Sequence, residues 1–255
     1  MLMALTREIS PAFQACELTH LDREQIDLES ARAQHAAYEW ALVEAGCTVR
    51  RLDTGADMPD AVFVEDIAVI LDEGAVICRP GAESRRPERA GVLEALARHG
   101  RPVQGIKAPG TLDGGDVLVI GRQVFVGSSA RTNRAGIDQL ARILEPVGYA
   151  IRAVPVHGCL HLKSAVTAVA PDTLLINPDW VPAAAFGGLS VLDVDPHEPA
   201  GANALAVADI VIYPTAFPRT RERLEGRGLR VRPIDVGELQ KAEGGVTCCS
   251  LLFRM

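Results

Sequence analysis

The sequence contains no stretch of about 18 apolar residues, the length that a membrane-crossing helix requires, so we expect no membrane partner. It also has no glycine-rich phosphate loop, no Walker motif and no dinucleotide fingerprint, which excludes the common nucleotide-binding classes. The paired CxxC motifs of structural zinc sites are missing as well.

Basic residues are fewer than acidic ones, 26 against 33, and the formal net charge is −7 at pH 7. This balance argues against a nucleic-acid partner and suits a small cationic substrate. Residues 1–14 carry charge at Arg7 and Glu8 and lack the apolar core of a secretory signal. The six cysteines are scattered, which is typical of free thiols in a reducing compartment. We therefore expect a cytoplasmic protein.

A pattern of paired apolar strands recurs along the chain at intervals of about 40 to 50 residues. In each copy, polar residues precede a strand, a Gly, Asp or Pro turn leads into a second strand, and a helix often follows. The corresponding points of the five copies are Glu65, Gly115, Leu162, Asn203 and Gly245. Five such units predict a closed ring in which the starts of the strands converge on a central axis. A single domain over residues 1–255 is therefore expected.

Helices are predicted between these copies from capping residues and chain breakers. One helix begins with acidic residues and ends at Gly46, and a strand follows over 47–52. Thr132 or Asn133 is placed to cap another helix at its start. This capped helix is expected over 133–147, and two further helices are expected over 86–99 and 219–228.

The last copy, residues 244–253, carries a candidate nucleophile. Gly244 and Gly245 lead the backbone, without side-chain obstruction, into an apolar run that predicts a buried strand with Cys248 at its mouth. An unpaired cysteine is more often a packing residue than a reactive one, so a reactive role for Cys248 depends on partners elsewhere. Cys249 is expected to point to the opposite face of the strand and to pack there.

Three carboxylates, Asp60, Glu65 and Asp66, lie at the start of the first predicted hairpin. A solvated turn is one interpretation, because acidic side chains are usually exposed. The alternative is a cation site, since carboxylates clustered in apolar surroundings require a neutralising charge. A guanidinium fits such a site best because it is planar and binds two oxygens at once.

A histidine and a further carboxylate also lie at the starts of strands. Asp113 opens an Asp-Gly turn and is a candidate to orient a catalytic histidine. His161 precedes an alternating segment over 163–168 that predicts a loop entering a strand. His157 and Cys159 could form a zinc site together with His161, but the expected loop makes this zinc-hydrolase hypothesis the weaker alternative.

Two arginines, Arg85 and Arg131, each follow a predicted strand pair and precede a helix. Each one alone is best interpreted as a solvated surface residue. Two arginines beside one cavity could instead clamp a carboxylate, because each guanidinium presents a planar fork of donors.

Seven segments in order carry a family resemblance: VFVEDIAV, RPGAESRR, APGTLDGGD, SSARTN, HLKSA, PTAFPRTRE and GGVTCCS. Together they resemble the dimethylarginine dimethylaminohydrolase family of the guanidine-modifying superfamily, over residues 18–250. The resemblance implies an α/β fold, a five-bladed α/β propeller of ββαβ-type repeats with pseudo-fivefold symmetry around a central active-site cavity.

The resemblance also implies roles for individual residues. Cys248 matches the nucleophile, His161 the general acid and base, and Asp113 the carboxylate that orients the histidine, although Asp113 is Glu in some relatives. Residues 19–25 resemble a mobile lid, and Glu243 stands where Asp is frequent. The residues expected to bind substrate are Leu18, Asp60, Glu65, Asp66, Arg85, Arg131, Ala242 and Glu243.

Within that set the resemblance divides the substrate among three groups of residues. Glu65 and Asp66 match the residues that bind the guanidinium. Arg85 and Arg131 match the clamp for the α-carboxylate. The α-amino group would be held by Asp60 and by the backbone carbonyls of Leu18 and Ala242.

The implied activity is hydrolysis of Nω-methylated arginines to citrulline and methylamine or dimethylamine. It proceeds through a covalent S-alkylthiouronium intermediate on Cys248, with no metal and no organic cofactor. A homodimer is compatible with the resemblance, and the oligomeric state stays open. Two further alternatives are an arginine deiminase-like hydrolase of an unsubstituted guanidine and a non-catalytic protein that binds arginine-like ligands.

Overall fold

The structure is a computed structural model that describes all residues, 1–255. It contains fifteen strands and six α-helices, joined by turns and short 3₁₀ segments. The strands are β1 (Leu2–Thr6), β2 (Cys47–Arg51), β3 (Ala68–Leu71), β4 (Gly74–Ile77), β5 (Val103–Gly105), β6 (Val117–Ile120), β7 (Gln123–Ser128), β8 (Ala150–Pro155), β9 (Val166–Ala170), β10 (Thr173–Ile176), β11 (Ser190–Asp193), β12 (Leu205–Val207), β13 (Ile210–Pro214), β14 (Arg230–Ile234) and β15 (Leu251–Arg254). The helices are α1 (Leu28–Glu44), α2 (Arg89–Arg98), α3 (Arg134–Leu144), α4 (Leu162–Ala165), α5 (Pro218–Gly226) and α6 (Gly237–Gln240).

The strands form five separate three-stranded sheets, called blades I to V here. They are β3-β4-β5, β6-β7-β8, β9-β10-β11, β12-β13-β14 and β15-β1-β2. In every blade the middle strand pairs antiparallel with the first strand and parallel with the third. A parallel connection needs a crossover, and a helix supplies it in four blades. Blade III instead crosses through the 3₁₀ segment Ala183–Phe186.

The first strands of all five blades line one central cavity of about 260 Å³. Blade V closes the ring because β15, near the end of the chain, pairs with β1 at its start, with Leu5 opposite Leu251 and Met3 opposite Phe253. This arrangement confirms the predicted five-bladed α/β propeller with pseudo-fivefold symmetry.

The longer helices α1, α2, α3 and α5 pack against the blades, and several helices begin and end where the sequence predicts. Asp27 caps α1 by accepting hydrogen bonds from the N–H groups of Glu29 and Ser30, and Gly46 follows the helix with φ of 88°. Asn133, and not Thr132, caps α3. None of the helices combines the length and the apolar character needed to span a bilayer.

Apolar packing joins neighbouring blades instead of filling one central core. The largest cluster contains 22 buried residues and packs α1 and α6 against blades IV and V. A second cluster of 13 residues lies between blades I and II. Each fully buried aliphatic side chain contributes about 1.5–3 kcal/mol. At the hub, buried polar groups are interspersed with apolar residues such as Val64, Leu162 and Val246.

The predicted strand starts are wrong at the hub. The chain forms turns there, called hub turns below, and the first strands begin only after them. The hub turns are Val64–Ile67, Gly114–Asp116, Leu162–Ala165 and residues 246–249. Their polar groups bond across to other blades and not along a strand ladder; the N–H of Glu65, for example, donates to the carbonyl of Cys248 at 3.0 Å.

The helix predicted over 86–99 is also divided. Residues Glu83–Glu88 form a 3₁₀ segment and the α-helix begins only at Arg89. Pro87 lies inside the 3₁₀ segment, and its ring disfavours the α conformation for the residue before it, Arg86.

Candidate active site

Cys248 lies in the hub turn 246–249, three residues before β15, and is partly exposed. The N–H of Gly245 points at its Sγ at 3.3 Å. Burial, with a smaller contribution from the carboxylates of Glu65 and Asp66, raises the pKa of Cys248 to about 12. The group is therefore a neutral thiol at pH 7 in the free protein, and a nearby cation is needed to make it a thiolate.

The glycines before Cys248 are required by close contacts. A Cβ on Gly244 would lie 2.3 Å from the ring of Phe63, and one on Gly245 would lie 2.4 Å from Oδ1 of Asn203. The same Asn203 oxygen accepts the N–H of Thr247 at 3.1 Å. The turn that presents the thiol is thus built against blade IV.

Cys249 is fully buried, as the sequence predicts, but the reason given from strand alternation is wrong. Both cysteines lie in a turn and not in a strand. Cys249 packs in the largest apolar cluster, and burial raises its pKa well above that of a free thiol. It is therefore a packing residue.

His161 immediately precedes the hub turn Leu162–Ala165, and the predicted strand over 163–168 begins only at Val166. Its Nε2 lies 3.1 Å from Oδ2 of Asp113, and its Nδ1 lies 3.7 Å from Oδ1 of Asp66. Burial alone would lower the pKa of His161, but the carboxylates of Asp66, Asp113 and Asp116 outweigh it and raise the pKa to about 9. The ring is therefore an imidazolium at neutral pH.

Asp113 is fully buried behind the histidine. Its Oδ1 accepts the N–H of Gly81 at 2.8 Å, so that Oδ2 is directed to His161. The two glycines that follow it permit this approach, because a Cβ on Gly114 would lie 2.0 Å from the carbonyl oxygen of Glu65, and one on Gly115 would lie 2.7 Å from the His161 ring. The Asp-Gly-Gly motif thus turns the chain and also lets its backbone approach Glu65 and His161 closely.

Asp66 faces the same cavity and is held by one cation and one backbone N–H group. Arg85 donates from Nη1 to its Oδ2 at 2.6 Å, and the N–H of Gly115 donates to its Oδ1 at 3.0 Å. Burial would raise the pKa of Asp66, but His161 and Arg85 hold it below its usual value. Asp66 is therefore ionised when substrate binds.

Glu65 is the neighbour of Asp66, yet the structure does not bring it into the cavity with the others. Its carboxylate accepts hydrogen bonds from Nζ of Lys163 and Oγ1 of Thr247, each at 2.7 Å. Glu65 and Lys163 line the central cavity formed by the first strands. Its predicted contact with a guanidinium stays a prediction.

The two predicted clamp arginines differ in their partners. Arg85 is buried and binds Glu88 through Nε and Nη2, each at 3.0 Å, in addition to Asp66. Arg131 is also buried, but its guanidinium donates only to the Thr19 hydroxyl, at 3.0 Å, and no carboxylate pairs with it. Arg131 is the free cation of the site.

Asp60 lies at the same end of the cavity and accepts the N–H of Glu17 at 3.1 Å. Burial raises the pKa of Asp60 to about 6. Ala242 lines the cavity nearby, whereas the Leu18 side chain packs against the largest apolar cluster. The predicted roles of the two backbone carbonyls, of Leu18 and Ala242, stay predictions.

Glu243 has a left-handed backbone, with φ of 57°, which is unusual for a residue with a side chain. Its carboxylate accepts the N–H groups of Thr19 at 3.0 Å, of Leu21 at 2.7 Å and of His20. Sequence reasoning assigns Glu243 to substrate. In the structure this side chain holds the first residues of the segment expected to be a lid, and its contact with substrate stays a prediction.

Most of the predicted site residues border one small cavity of about 10 Å³, which must widen before it admits an arginine. Those that line it are Asp60, Asp66, Arg85, Arg131, His161, Ala242, Glu243 and Cys248. On its other side, Cys248 also borders a larger cavity of about 370 Å³ lined by Leu160, Trp180 and Phe217. The thiol therefore lies between a charged cavity and a mostly apolar one.

The zinc-site hypothesis does not fit the geometry. His157 is exposed, Cys159 is buried with its pKa raised to about 12, and its Sγ contacts the carbonyl of His161 at 3.4 Å. The ring of His161 is instead directed to Asp66 and Asp113, the two groups with which it could share an ion.

Several polar residues of the hub are missed by sequence reasoning. Asp116 accepts the N–H of Leu162 at 2.9 Å, and Asn203 donates to the carbonyl of Lys163 at 3.0 Å. Glu88 binds Arg85 from a segment that looks like an exposed helix start. For Asp116 and Asn203 the sequence gives one signal, the recurrence of a polar residue before each first strand. For Glu88 it gives none.

Comparison with known proteins extends over the whole chain. A family model described as N,N dimethylarginine dimethylhydrolase, eukaryotic, matches residues 11–185. N(G),N(G)-dimethylarginine dimethylaminohydrolase of Streptomyces coelicolor is 43% identical over 252 residues, covering 98% of this chain and 96% of that protein. The Pseudomonas aeruginosa protein of the same name is 37% identical over 228 residues, covering 89% of this chain and 90% of that protein.

Solved structures agree with the sequence comparisons. A Cys-to-Ser mutant of the P. aeruginosa enzyme, complexed with citrulline, superimposes with a TM-score of 0.93 at 34% identity and covers 98% of each chain. The N-terminal domain of a cyanobacterial arginine dihydrolase superimposes with a TM-score of 0.89 at 19% identity, covering 98% of this chain and 97% of that one. At that identity the second likeness shows the fold alone.

Proposed function

This chain belongs to the dimethylarginine dimethylaminohydrolase family, and on that premise we propose that it hydrolyses Nω-methylated arginines to citrulline and methylamine or dimethylamine. It is a hydrolase that acts on C–N bonds. The observation that carries the proposal is the joint position of Cys248, His161 and Asp66 on one enclosed cavity. That cavity has a free guanidinium, Arg131, and a free carboxylate, Asp60, for the amino-acid end of the substrate.

The amino-acid end is bound by charge. Arg131 has no carboxylate partner, so it is the better placed of the two arginines to bind the α-carboxylate. Arg85 already binds Asp66 and Glu88 and adds positive charge nearby. Asp60, with the carbonyls of Leu18 and Ala242, binds the α-ammonium group.

The guanidinium end is bound by Asp66 beside the thiol. A guanidinium carbon is a weak electrophile because resonance spreads its charge, so orientation next to a soft nucleophile is the main contribution of the site. The substrate cation also stabilises the thiolate and thereby lowers the high pKa of Cys248. Substrate binding thus releases the thiol proton and activates the nucleophile.

The reaction then proceeds in two halves. The Cys248 thiolate attacks the guanidinium carbon, and the His161 imidazolium donates its proton to the departing methylated amine, which leaves an S-alkylthiouronium on the sulfur. His161, now neutral, removes a proton from water, and the hydroxide adds to the same carbon. The C–S bond breaks, the hydroxyl proton of the adduct passes to solvent as citrulline leaves, and the thiolate and imidazolium are restored. Asp113 keeps the ring oriented throughout.

The test is citrulline release from asymmetric dimethylarginine and from arginine in parallel, with wild type and Cys248→Ala. We expect turnover of the methylated substrate alone and its complete loss in Cys248→Ala. Turnover of arginine alone would assign the chain to deiminase chemistry with the same thiol. Activity that survives in Cys248→Ala would contradict the mechanism, and ligand binding without turnover in wild type would indicate a binding protein.

Two further predictions accompany this function, a cytoplasmic location and a homodimer. All six cysteines are free thiols in the structure, which supports a cytoplasmic location. A homodimer stays a prediction as well, and sedimentation equilibrium of the purified chain would measure it. The partner of the site itself is a small molecule.

A further inference from the structure

Glu88 is a buried carboxylate to which neither the sequence nor the family resemblance gives a role. It ends the 3₁₀ segment Glu83–Glu88 and is 1% exposed. Its two oxygens accept from Nε and Nη2 of Arg85, each at 3.0 Å, which is a bidentate pairing. Arg7 binds the backbone carbonyl of Glu88 at 2.8 Å, so the carboxylate itself is left to Arg85.

The ion pair continues into the catalytic centre. Nη1 of Arg85 donates to Oδ2 of Asp66 at 2.6 Å, and Oδ1 of Asp66 lies 3.7 Å from Nδ1 of His161. Nε2 of the same ring lies 3.1 Å from Asp113. Charges of alternating sign therefore run from Glu88 to Asp113 through buried side chains. Glu88 pairs with Arg85, Arg85 pairs with Asp66, and Asp113 pairs with His161. Each pairing restricts the rotation of the two side chains it joins.

We infer that Glu88 is a positioning residue for the hydrolysis, because it holds the Arg85 fork that fixes Asp66 between His161 and the substrate guanidinium. This inference rests on the function proposed above. The backbone carbonyls of Phe63 and Asp60 also accept from Nη2 of Arg85, at 3.0 and 3.3 Å, but neither binds Nε. Without Glu88, Nε has no acceptor and Nη2 keeps only these two carbonyls, so the donor to Asp66 is held less firmly.

Glu88 also acts on the charge of His161. The ionisable groups that face the ring are Asp66 from one hub turn, Asp113 and Asp116 beside another, and Cys248 from the terminal turn. Arg85 opposes their negative charge, and Glu88 offsets Arg85. Removal of the Glu88 charge leaves the surroundings more positive by one, which disfavours the imidazolium and lowers the pKa of His161.

The test compares Glu88→Gln, Glu88→Asp and a matched control, Glu83→Gln. Glu83 belongs to the same 3₁₀ segment and pairs with Arg86 at the same i,i+3 spacing, but its side chain is 82% exposed. The measurements are kcat/KM for asymmetric dimethylarginine against pH and the titration of the His161 ring by NMR in the free protein. The substrate is the same throughout, so its own titration cancels between variants.

For Glu88→Gln we expect a loss of kcat/KM of about tenfold. The pKa of His161 should fall by about half a unit, and the alkaline limb of the pH profile should move down with it. Glu88→Asp keeps the charge but shortens the reach, so we expect a smaller loss of kcat/KM and an unmoved limb. Glu83→Gln should match wild type in every measurement.

A purely structural Glu88 would give another result. Glu88→Gln would then melt earlier but keep the kcat/KM and the His161 titration of Glu83→Gln, which would overturn the inference. If Glu88→Gln does not fold, Glu88→Asp decides, because wild-type kcat/KM in that variant also overturns it. The NMR titration needs no turnover, so a wild type that releases no citrulline counts against the proposed function alone.

Discussion

The hub and the outer rim of the ring contain the same charged residue types but use them differently. On the rim, ion pairs such as Arg98–Glu94 and Arg134–Asp138 join residues of one helix and are exposed to water. At the hub, Arg85 and Asp66 are both buried and come from different segments. An exposed pair contributes little to stability, whereas loss of one partner of a buried pair leaves an uncompensated charge. The position of a charge, and not its type, therefore decides what it does here.

The sharpest form of this comparison lies between two adjacent residues. Asp66 faces His161 and the enclosed cavity, while Glu65 faces Lys163 and the central cavity. We expect Asp66→Asn to lower kcat/KM on the order of 10²- to 10³-fold, because it removes a charge next to the reacting guanidinium. Glu65→Gln keeps an oxygen for Lys163 and should cost less than about tenfold.

Steady-state kinetics with asymmetric dimethylarginine measures both variants. Thermal melting of each variant controls for lost structure, since both positions are buried. A larger loss in Glu65→Gln than in Asp66→Asn would show that Glu65 binds the guanidinium directly, as the sequence predicts, and that Lys163 moves away when substrate binds.

The hub should also give the enzyme a bell-shaped pH profile. Asp60 must be ionised to bind an ammonium group, so kcat/KM should fall as pH drops through its pKa of about 6. His161 must be protonated to release the amine, so activity should fall as pH rises through about 9. The acidic limb should disappear in Asp60→Asn, and a limb that stays in that variant would assign it to another group.

The pH dependence of stability should also reflect the titration of His161. The folded-state pKa of His161 is raised from 6.5 to about 9, so its stabilising contribution is complete below pH 6.5 and is lost as pH rises through 9. The melting temperature of wild type should therefore decline over that window relative to His161→Gln. Parallel melting curves for the two proteins would show that the histidine does not carry this dependence.

Loss of the contacts between Glu243 and the segment expected to be a lid should have a smaller effect on activity. Glu243→Gln removes the negative charge that binds three consecutive N–H groups of the segment beginning at Thr19. We expect KM to rise about threefold to tenfold with little change in kcat, because a loosened segment weakens binding more than chemistry. Glu24→Gln, at an exposed position of the same segment, is the control. An equal rise in both variants would mean that Glu243 has no particular role.

A substitution on the rim should change stability and leave activity unaltered, and this is the smallest expected effect. Asn133 caps α3 by accepting the N–H of Gly136 at 2.9 Å, and Asn133→Ala should cost about 1 kcal/mol. Urea unfolding measures the loss, and Asn133→Asp should recover most of it. A change in kcat/KM of the folded variant would break the distinction between rim and hub.

What could be predicted from the sequence follows the same division. The helices α1 and α3 were predictable because their caps and their stops are local signals, read within a few residues of Asp27, Gly46 and Asn133. The recurrence of strand pairs predicted the ring. The residues of the site were predicted by resemblance and by their places before strands, and the structure brings most of them to one cavity.

The hub turns could not be predicted in this way. The apolar residues around Val64 and Leu162 suggest strands, but their backbone groups bond to other blades, which a local pattern does not record. Neither does the sequence tell which of two adjacent carboxylates, Glu65 or Asp66, has a lysine opposite it. Glu88 was missed for a similar reason, since its burial and its pairing with Arg85 are not visible in the sequence.

The pairing of β15 with β1 has a consequence for biosynthesis. The same strand that joins the two ends of the chain follows directly on the turn that bears the thiol. A nascent polypeptide that has reached residue 240 holds the strands of four blades, yet it lacks both the seam of the ring and its nucleophile. Domains of this size begin to fold during synthesis, when partly formed intermediates are common. The nucleophile is therefore synthesised only three residues before the strand that closes the ring, and a chain that ends before residue 248 has neither.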